Sequence, residues 1–125
     1  MVINEISRNI IDSAYKVHKA LGPGLLESAY EACLCFELTK RDIEVKSQVE
    51  LPIIYYGEKI NLGYRMDIVV EDQVIVELKS VENVSEVHKA QILSYLKLSK
   101  MKLGLLINFN VTMIKNGITR FANNL

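Results

Sequence analysis

Apolar side chains recur at spacings of three and four over the first forty residues, a pattern typical of amphipathic helices. It predicts one helix over 3–21 and a second over 25–40. Gly22-Pro23-Gly24 separates the two, because glycine and proline both interrupt helices. The apolar positions are Ile3, Ile6, Ile10, Ala14, Val17 and Leu21, then Leu26, Ala29, Tyr30, Cys33, Leu34 and Leu38. The chain is therefore expected to begin with two helices.

From residue 43 onward the composition shifts to β-branched and aromatic residues, which favour strands. The predicted strands cover 44–51, 53–56, 60–64, 66–70 and 74–79. A run of antiparallel strands is the simplest interpretation.

Helical spacing returns over 84–99, where Ser85 is a plausible N-cap. The apolar side of this helix is expected to carry Val87, Ala90, Leu93 or Ser94, and Leu98. Residues 103–109 form an apolar run short enough for a buried strand, and Asn116-Gly117 predicts a tight hairpin turn. The order of elements indicates an α+β fold.

The composition limits the chain to one compact unit and excludes several kinds of site. Its 125 residues, half of them hydrophobic, predict a single domain over 1–125 with one functional site. Fifteen basic residues balance fifteen acidic ones, so any surface that binds nucleic acid must be local. No stretch approaches the roughly 20 apolar residues of a membrane span, which predicts a cytoplasmic protein without a membrane partner. Cys33 and Cys35 are expected to form neither a disulfide nor a zinc pair, and His18 and His88 to pack rather than bind metal.

Two carboxylates and a lysine carry the candidate chemistry. If residues 71–73 form a turn, Asp67 faces Glu77 directly, with Cβ atoms about 5 Å apart, and Lys79 shares their face. The other face is then wholly apolar, with Met66, Ile68, Val70, Val74, Val76 and Leu78. The opposed carboxylates call for a cation, and oxygen ligands at this spacing suit Mg²⁺ or Mn²⁺. Lys79 beside such a metal could stabilise charge on an attacked phosphate or assist the attacking water, and either role indicates phosphodiester hydrolysis.

A plainer interpretation makes the three residues a salt bridge on a solvated sheet face, where such pairs contribute roughly 0 to 1 kcal/mol. Spacing alone does not separate the two. Val69 and Ile75, however, occupy positions where a solvated strand would carry polar residues. They predict a hairpin that is covered on both sides.

Asp67 followed by Glu77-Leu78-Lys79 resembles the catalytic signature of the PD-(D/E)XK nuclease superfamily, whose core order is α-β-β-β-α-β. Met66 stands where the family name has proline. Residues 24–30, Gly-Leu-Leu-Glu-Ser-Ala-Tyr, resemble the motif of the GxxExxY proteins, a branch of that superfamily. The similarity continues through 63–67, 76–80, 88–91 and 103–109. It implies the restriction-endonuclease-like core with an extra N-terminal helix and a C-terminal hairpin.

The resemblance also implies a role for each matching residue. Asp67 and Glu77 become metal ligands, Lys79 the catalytic lysine, and Glu27 a helix-borne acid that also binds metal. The supporting residues are Gln91 and Tyr95, which match a Gln-x-x-x-Tyr element, and Tyr30. The implied protein is a nuclease that uses Mg²⁺ or Mn²⁺ and acts on nucleic acid, with DNA as the expected substrate.

Glu27 and Tyr30 also have structural interpretations that need no catalytic role. Glu27 lies in the first turn of its helix, where an acid stabilises the helix dipole by about 0.3 to 1 kcal/mol. Tyr30 shares a face with Leu26 and Leu34, which predicts core packing with its hydroxyl on a polar partner.

Two other function classes remain open. One is a binding module on the same fold, a homodimer among its forms, that holds nucleic acid or protein without cutting it. Its basic residues would be Lys46, Lys59, Arg65, Lys79, Lys89 and Lys97. The other is a structural or regulatory protein that assembles through exposed strand edges such as the C-terminal hairpin. The complete set of Asp67, Glu77 and Lys79 favours the enzyme.

Overall fold

Two helices open the fold, as the sequence predicts. In the computed structural model, which describes residues 1–124, α1 spans Ile3–Leu21 and α2 spans Glu27–Lys40. The Tyr30 hydroxyl donates to the carbonyl of Gly22 at 2.6 Å and accepts from the N–H of Leu25 at 3.1 Å. Its ring stacks on Phe109 with centroids 4.4 Å apart. Tyr30 is therefore a core residue that closes the loop between the helices.

The remaining elements build a five-stranded sheet, a separate two-stranded ribbon and a third helix. They are β1 (Val45–Glu50), β2 (Ile53–Tyr55), β3 (Glu58–Ile60), β4 (Arg65–Val70), β5 (Val74–Lys79), α3 (Glu86–Ser99), β6 (Leu103–Asn108), a 3-10 turn (Ile114–Gly117) and β7 (Ile118–Ala122). The sheet order is β1-β4-β5-β6-β7, and β2 pairs only with β3. β5 and β6 run parallel, while the other neighbours in the sheet are antiparallel.

This is the expected α+β fold. The α-β-β-β-α-β core consists of α2, β1, β4, β5, α3 and β6, with α1 added before it and β7 after it. The predicted N-cap is present, since the Ser85 hydroxyl accepts from the N–H of His88 at 3.3 Å.

Three local predictions are wrong. A strand is expected over 60–64, but only Ile60 belongs to a strand, at the end of β3, and residues 61–64 lie outside any strand. Asn116-Gly117 ends the 3-10 turn rather than forming a two-residue hairpin, and β7 pairs directly with β6. On α3 the buried residues are Ile92, Tyr95 and Leu96, whereas Val87 is 76% exposed.

The first and third helices pack on opposite sides of the sheet. One apolar layer joins α1 and α2 to alternate residues of β4, β5 and β6. The other joins α3 to Val69 and Ile75, which are 2% and 0% exposed. The prediction of a hairpin covered on both sides is therefore confirmed.

Met66 lies in the α3 layer, not with Ile68 and Val70 as predicted. The pairing of β1 with β4 runs to Ser47–Ile68 and resumes at Val49–Met66, so it skips Gln48 and Asp67. Gln48 has a φ of 52°, which strand residues do not normally adopt. This break interrupts the alternation of side chains, and Met66 beyond it turns to the opposite layer.

No helix within residues 1–124 is long and apolar enough to cross a membrane.

Asn108 is expected to stabilise the segment that follows β5. Its side chain is 3% exposed, donates to the carbonyl of Val81 at 2.9 Å and accepts from the N–H of Val81 at 3.1 Å. Asn108→Ala should lower the free energy of unfolding by about 2 to 3 kcal/mol, since it leaves both groups without partners. Urea denaturation measures this, with Asn110→Ala as the neighbouring control. Equal stability of the two variants would contradict the anchoring role.

Candidate active site

Asp67 and Glu77 are joined by reciprocal hydrogen bonds. Oε2 of Glu77 accepts from the backbone N–H of Asp67 at 2.7 Å, and Oδ2 of Asp67 accepts from the N–H of Leu78 at 2.9 Å. The β4–β5 pairing runs from Val70–Val74 to Ile68–Val76, and Asp67 and Glu77 occupy the next position. The structure therefore brings the two carboxylates together in the register that the turn at 71–73 predicts.

Glu77 is a buried acid in a setting that disfavours its charge. Its side chain is 3% exposed. Burial and, next in size, the Asp67 carboxylate raise the pKa of Glu77 to about 8, although the N–H of Asp67 and the charge of Lys79 partly oppose the shift. A bound cation would relieve this cost.

On the α3 side, Tyr95 borders the pair. Burial raises the pKa of the Tyr95 hydroxyl, and the charges of Glu77 and Asp67 raise it further. Gln91 interacts with that hydroxyl one helical turn away. Tyr95 packs in one cluster with Met66 and Ile75, and Gln91 lines the same cavity as Tyr95, so the structure places both residues on the α3 side of the site.

Lys79 is half-buried on β5, on the same face as Glu77. Within residues 1–124 it forms no ion pair with either carboxylate, whereas Lys46, Arg65 and Lys89 each pair with an acid. The salt-bridge interpretation of Asp67, Glu77 and Lys79 therefore lacks its defining contact, and the buried face on which it would lie is not solvated.

A model of the PD-(D/E)XK nuclease superfamily matches residues 4–121. The chain belongs to this superfamily. No curated protein and no solved structure matches it. Membership implies a metal-dependent nuclease that acts on nucleic acid.

Two acids near the site, Glu27 and Glu31, lie on α2. Glu27 is exposed in its first turn, and Glu31 is half-buried one turn later. Burial raises the pKa of Glu31, as do the charges of Asp67 and Glu27. Glu31 also accepts from the side-chain amide of Gln48 at 2.8 Å. Glu31 thus feels the charges of both Glu27 and Asp67, but Glu27 is not grouped with Asp67 and Glu77 as a three-acid site within residues 1–124.

Glu31 is the residue that the sequence prediction missed. The available signal was its position four residues after Glu27, because residues i and i+4 share a helix face. Tyr30, by contrast, is fully buried, and its hydroxyl binds the loop between α1 and α2 rather than a carboxylate.

The donor atoms suit a divalent cation. Each carboxylate uses one oxygen, Oδ2 of Asp67 and Oε2 of Glu77, to accept a backbone hydrogen bond. Their second oxygens accept no hydrogen bond within residues 1–124 and can bind a cation. Hard carboxylate oxygens are the ligands that Mg²⁺ and Mn²⁺ prefer. Residues 1–124 hold no group of three His, Cys, Asp or Glu arranged as a complete metal site. The fit therefore rests on two protein ligands, a number common for Mg²⁺, which retains several waters.

Glu77 should make the metal-free protein more stable in mild acid. Its folded pKa of about 8 exceeds the ordinary value of 4.5, so the folded state binds more protons between these pH values. The stabilisation is fully present below pH 4.5 and is lost as the pH rises through about 8. In chelator, Glu77→Gln should be more stable than wild type at pH 7, by on the order of 3 kcal/mol, and should lose this pH dependence.

Thermal or urea unfolding from pH 5 to 8.5 measures this effect, with exposed Glu82→Gln as the matched control. A wild-type protein that gains stability from pH 5 to 8 through Glu77 would contradict the raised pKa.

Proposed function

We propose that this protein is a nuclease that hydrolyses phosphodiester bonds of DNA with Mg²⁺ or Mn²⁺. The observation that carries the proposal is the pairing of Asp67 with Glu77, which is 3% exposed and accepts from the N–H of Asp67, in a superfamily whose signature these residues match. Asp67 and Glu77 would hold the metal, and Glu27, which is exposed in the first turn of α2, is proposed as a third acidic ligand that would join them. We place the chain in the GxxExxY branch, as a single cytoplasmic domain.

Each residue has a defined part in the mechanism. A divalent cation at the pair would supply Lewis-acid activation of the phosphate and of water. Lys79, free of ion pairs with the carboxylates, donates to a phosphate oxygen as negative charge develops there. Gln91 and Tyr95 orient the phosphate or the attacking water from the α3 side. The buried surroundings strengthen each of these electrostatic interactions.

The alternative is a non-catalytic module that binds nucleic acid or protein on the same fold. The two-ligand site and the balanced net charge favour it to some extent. A pure binder, however, has no need for a carboxylate buried beside another. A panel of labelled single-stranded, duplex and RNA substrates, with Mg²⁺, Mn²⁺ or chelator, tests the proposal. Absence of metal-dependent cleavage across the panel would leave the binding module.

Lys79→Ala should lower cleavage by about 10²- to 10³-fold while leaving metal affinity nearly unchanged, because the lysine acts on the transition state and does not bind metal. Calorimetric Mn²⁺ titration and single-turnover cleavage measure the two quantities. Exposed Lys19→Ala is the control. Wild-type turnover in folded Lys79→Ala would remove the lysine from the mechanism.

Glu27→Gln should weaken Mn²⁺ affinity by about 10- to 100-fold and lower cleavage in parallel. The isostere retains the shape of the side chain, and the lost helix-dipole stabilisation is only about 0.3 to 1 kcal/mol. Glu31→Gln, one turn later, is the companion variant and should stabilise the metal-free protein by removing a charge near Asp67. If Glu27→Gln changes only the melting temperature, the helix-capping interpretation is correct.

A further inference from the structure

A groove of about 440 Å³ opens on the α3 side of the site, where Gln91 and Tyr95 form part of its lining. Tyr64, just before β4, and Tyr95 on α3 both line it, with ring centroids 6.5 Å apart in an edge-to-face arrangement. Ile53 and Leu98 add further apolar wall. Tyr95 belongs to the same packed cluster as Met66 and Ile75, which lie one and two residues from Asp67 and Glu77, so a ligand in the groove lies near the proposed reaction centre.

The two tyrosines differ in exposure, and Tyr64 is the one that offers a ring face to a ligand. Tyr95 is 6% exposed and fixed in the core, whereas Tyr64 is 44% exposed. The carbonyl of Tyr64 accepts from the N–H of Leu51 at 2.9 Å, which fixes its backbone against the end of β1. An exposed ring on an anchored backbone is a surface on which a flat group can stack.

The polar groups of the groove suit the edge of a nucleobase. Gln91, one helical turn before Tyr95, and Ser94, its chain neighbour, both line the groove. Their side chains offer hydrogen-bond donors and acceptors. The volume lies within the 300 to 1,000 Å³ typical of small-ligand sites. Aromatic walls with a few amide and hydroxyl groups are how proteins hold unstacked bases.

A basic region continues from the groove. Lys97 lines the groove and also a second depression of about 440 Å³ that contains Lys100, Lys102 and Asn123. None of these lysines forms an ion pair with a carboxylate of residues 1–124. On a protein with no net charge, three such lysines make a local surface for backbone phosphates.

We propose, on the basis of the nuclease function above, that the substrate strand is unpaired beside the scissile phosphate. One base stacks in the groove against Tyr64, and the following phosphates lie along Lys97, Lys100 and Lys102. Bases within a duplex are stacked on their neighbours and cannot enter the groove, so the substrate class is single-stranded nucleic acid or an unpaired end. The basic continuation favours nucleic acid over an apolar peptide as the occupant.

Fluorescence anisotropy in chelator tests the proposal without cleavage. The probes are a labelled 12-nucleotide single strand and the blunt duplex of the same sequence. Wild type should bind the single strand more tightly, Tyr64→Leu should weaken that binding by about 5- to 100-fold, and Tyr64→Phe should retain it. Lys97→Gln should reduce the salt dependence by about 0.7 in log K against log salt, as for one phosphate contact on a single strand.

Matched surface controls separate the groove from general effects. Tyr15 on α1 is also 44% exposed, so Tyr15→Leu should leave binding unchanged, as should Lys19→Gln. Circular dichroism checks that each variant folds. Tighter binding of the duplex, or equal effects of Tyr64→Leu and Tyr15→Leu, overturns the proposal. Single-strand affinity that does not respond to Tyr64→Leu does the same and leaves a peptide as the groove's occupant.

Failure of the groove and failure of the nuclease give different results. If the binding pattern holds but no substrate is cut with Mg²⁺ or Mn²⁺, the groove stands on a non-catalytic binding module. If cleavage depends on Lys79 but duplex is preferred and Tyr64→Leu has no effect, the nuclease stands and the groove proposal is wrong.

Discussion

The reciprocal hydrogen bonds between Asp67 and Glu77 are the constraint around which the site is arranged. Each carboxylate accepts a backbone N–H from the other's strand, of Leu78 in one case and of Asp67 itself in the other. The strand pairing stops at Ile68–Val76, and the carboxylates satisfy the N–H groups beyond it. Both acids are therefore fixed by the backbone before any ligand arrives, which is the preorganisation that a reaction centre needs.

The break in the sheet explains why the surrounding elements are placed as they are. β1 skips the same position at Gln48, whose side chain reaches Glu31 on α2. α2 and α3 therefore approach the opening from different directions, the first with Glu31 and the second with Tyr95. Beyond the break, the backbone carbonyl of Tyr64 accepts from the N–H of Leu51, which holds Tyr64 at one wall of the adjoining groove.

The sequence predicted the fold well where one periodic pattern dominated. The two opening helices, the register of 66–70 against 74–79 and the buried strand at 103–109 all depend on strong local signals. The face of α3 was predicted wrongly because its apolar residues surround the helix, and contact with the sheet selects Ile92 and Leu96. Gly104 lets them approach, since a Cβ there would lie 3.0 Å from Cδ1 of Ile92. The position of Met66 in the α3 layer follows from the backbone change at Gln48, which no residue pattern reveals, whereas the i+4 spacing from Glu27 was a signal for Glu31.

The cost of the acidic pair connects stability to the proposed chemistry. A buried carboxylate beside another is unfavourable in the free protein, and burial alone is the largest cause of the raised Glu77 pKa. A bound cation would offset the cost of burying the Glu77 charge and its repulsion by Asp67. It would compete with protons for the carboxylates, so metal binding and proton release would be coupled at this site. Replacing the pair with apolar side chains would remove this cost and both carboxylate ligands, but it would leave the N–H groups of residues 67 and 78 without their acceptors. The pair thus holds two backbone N–H groups and also carries an electrostatic cost that the proposed cation would relieve.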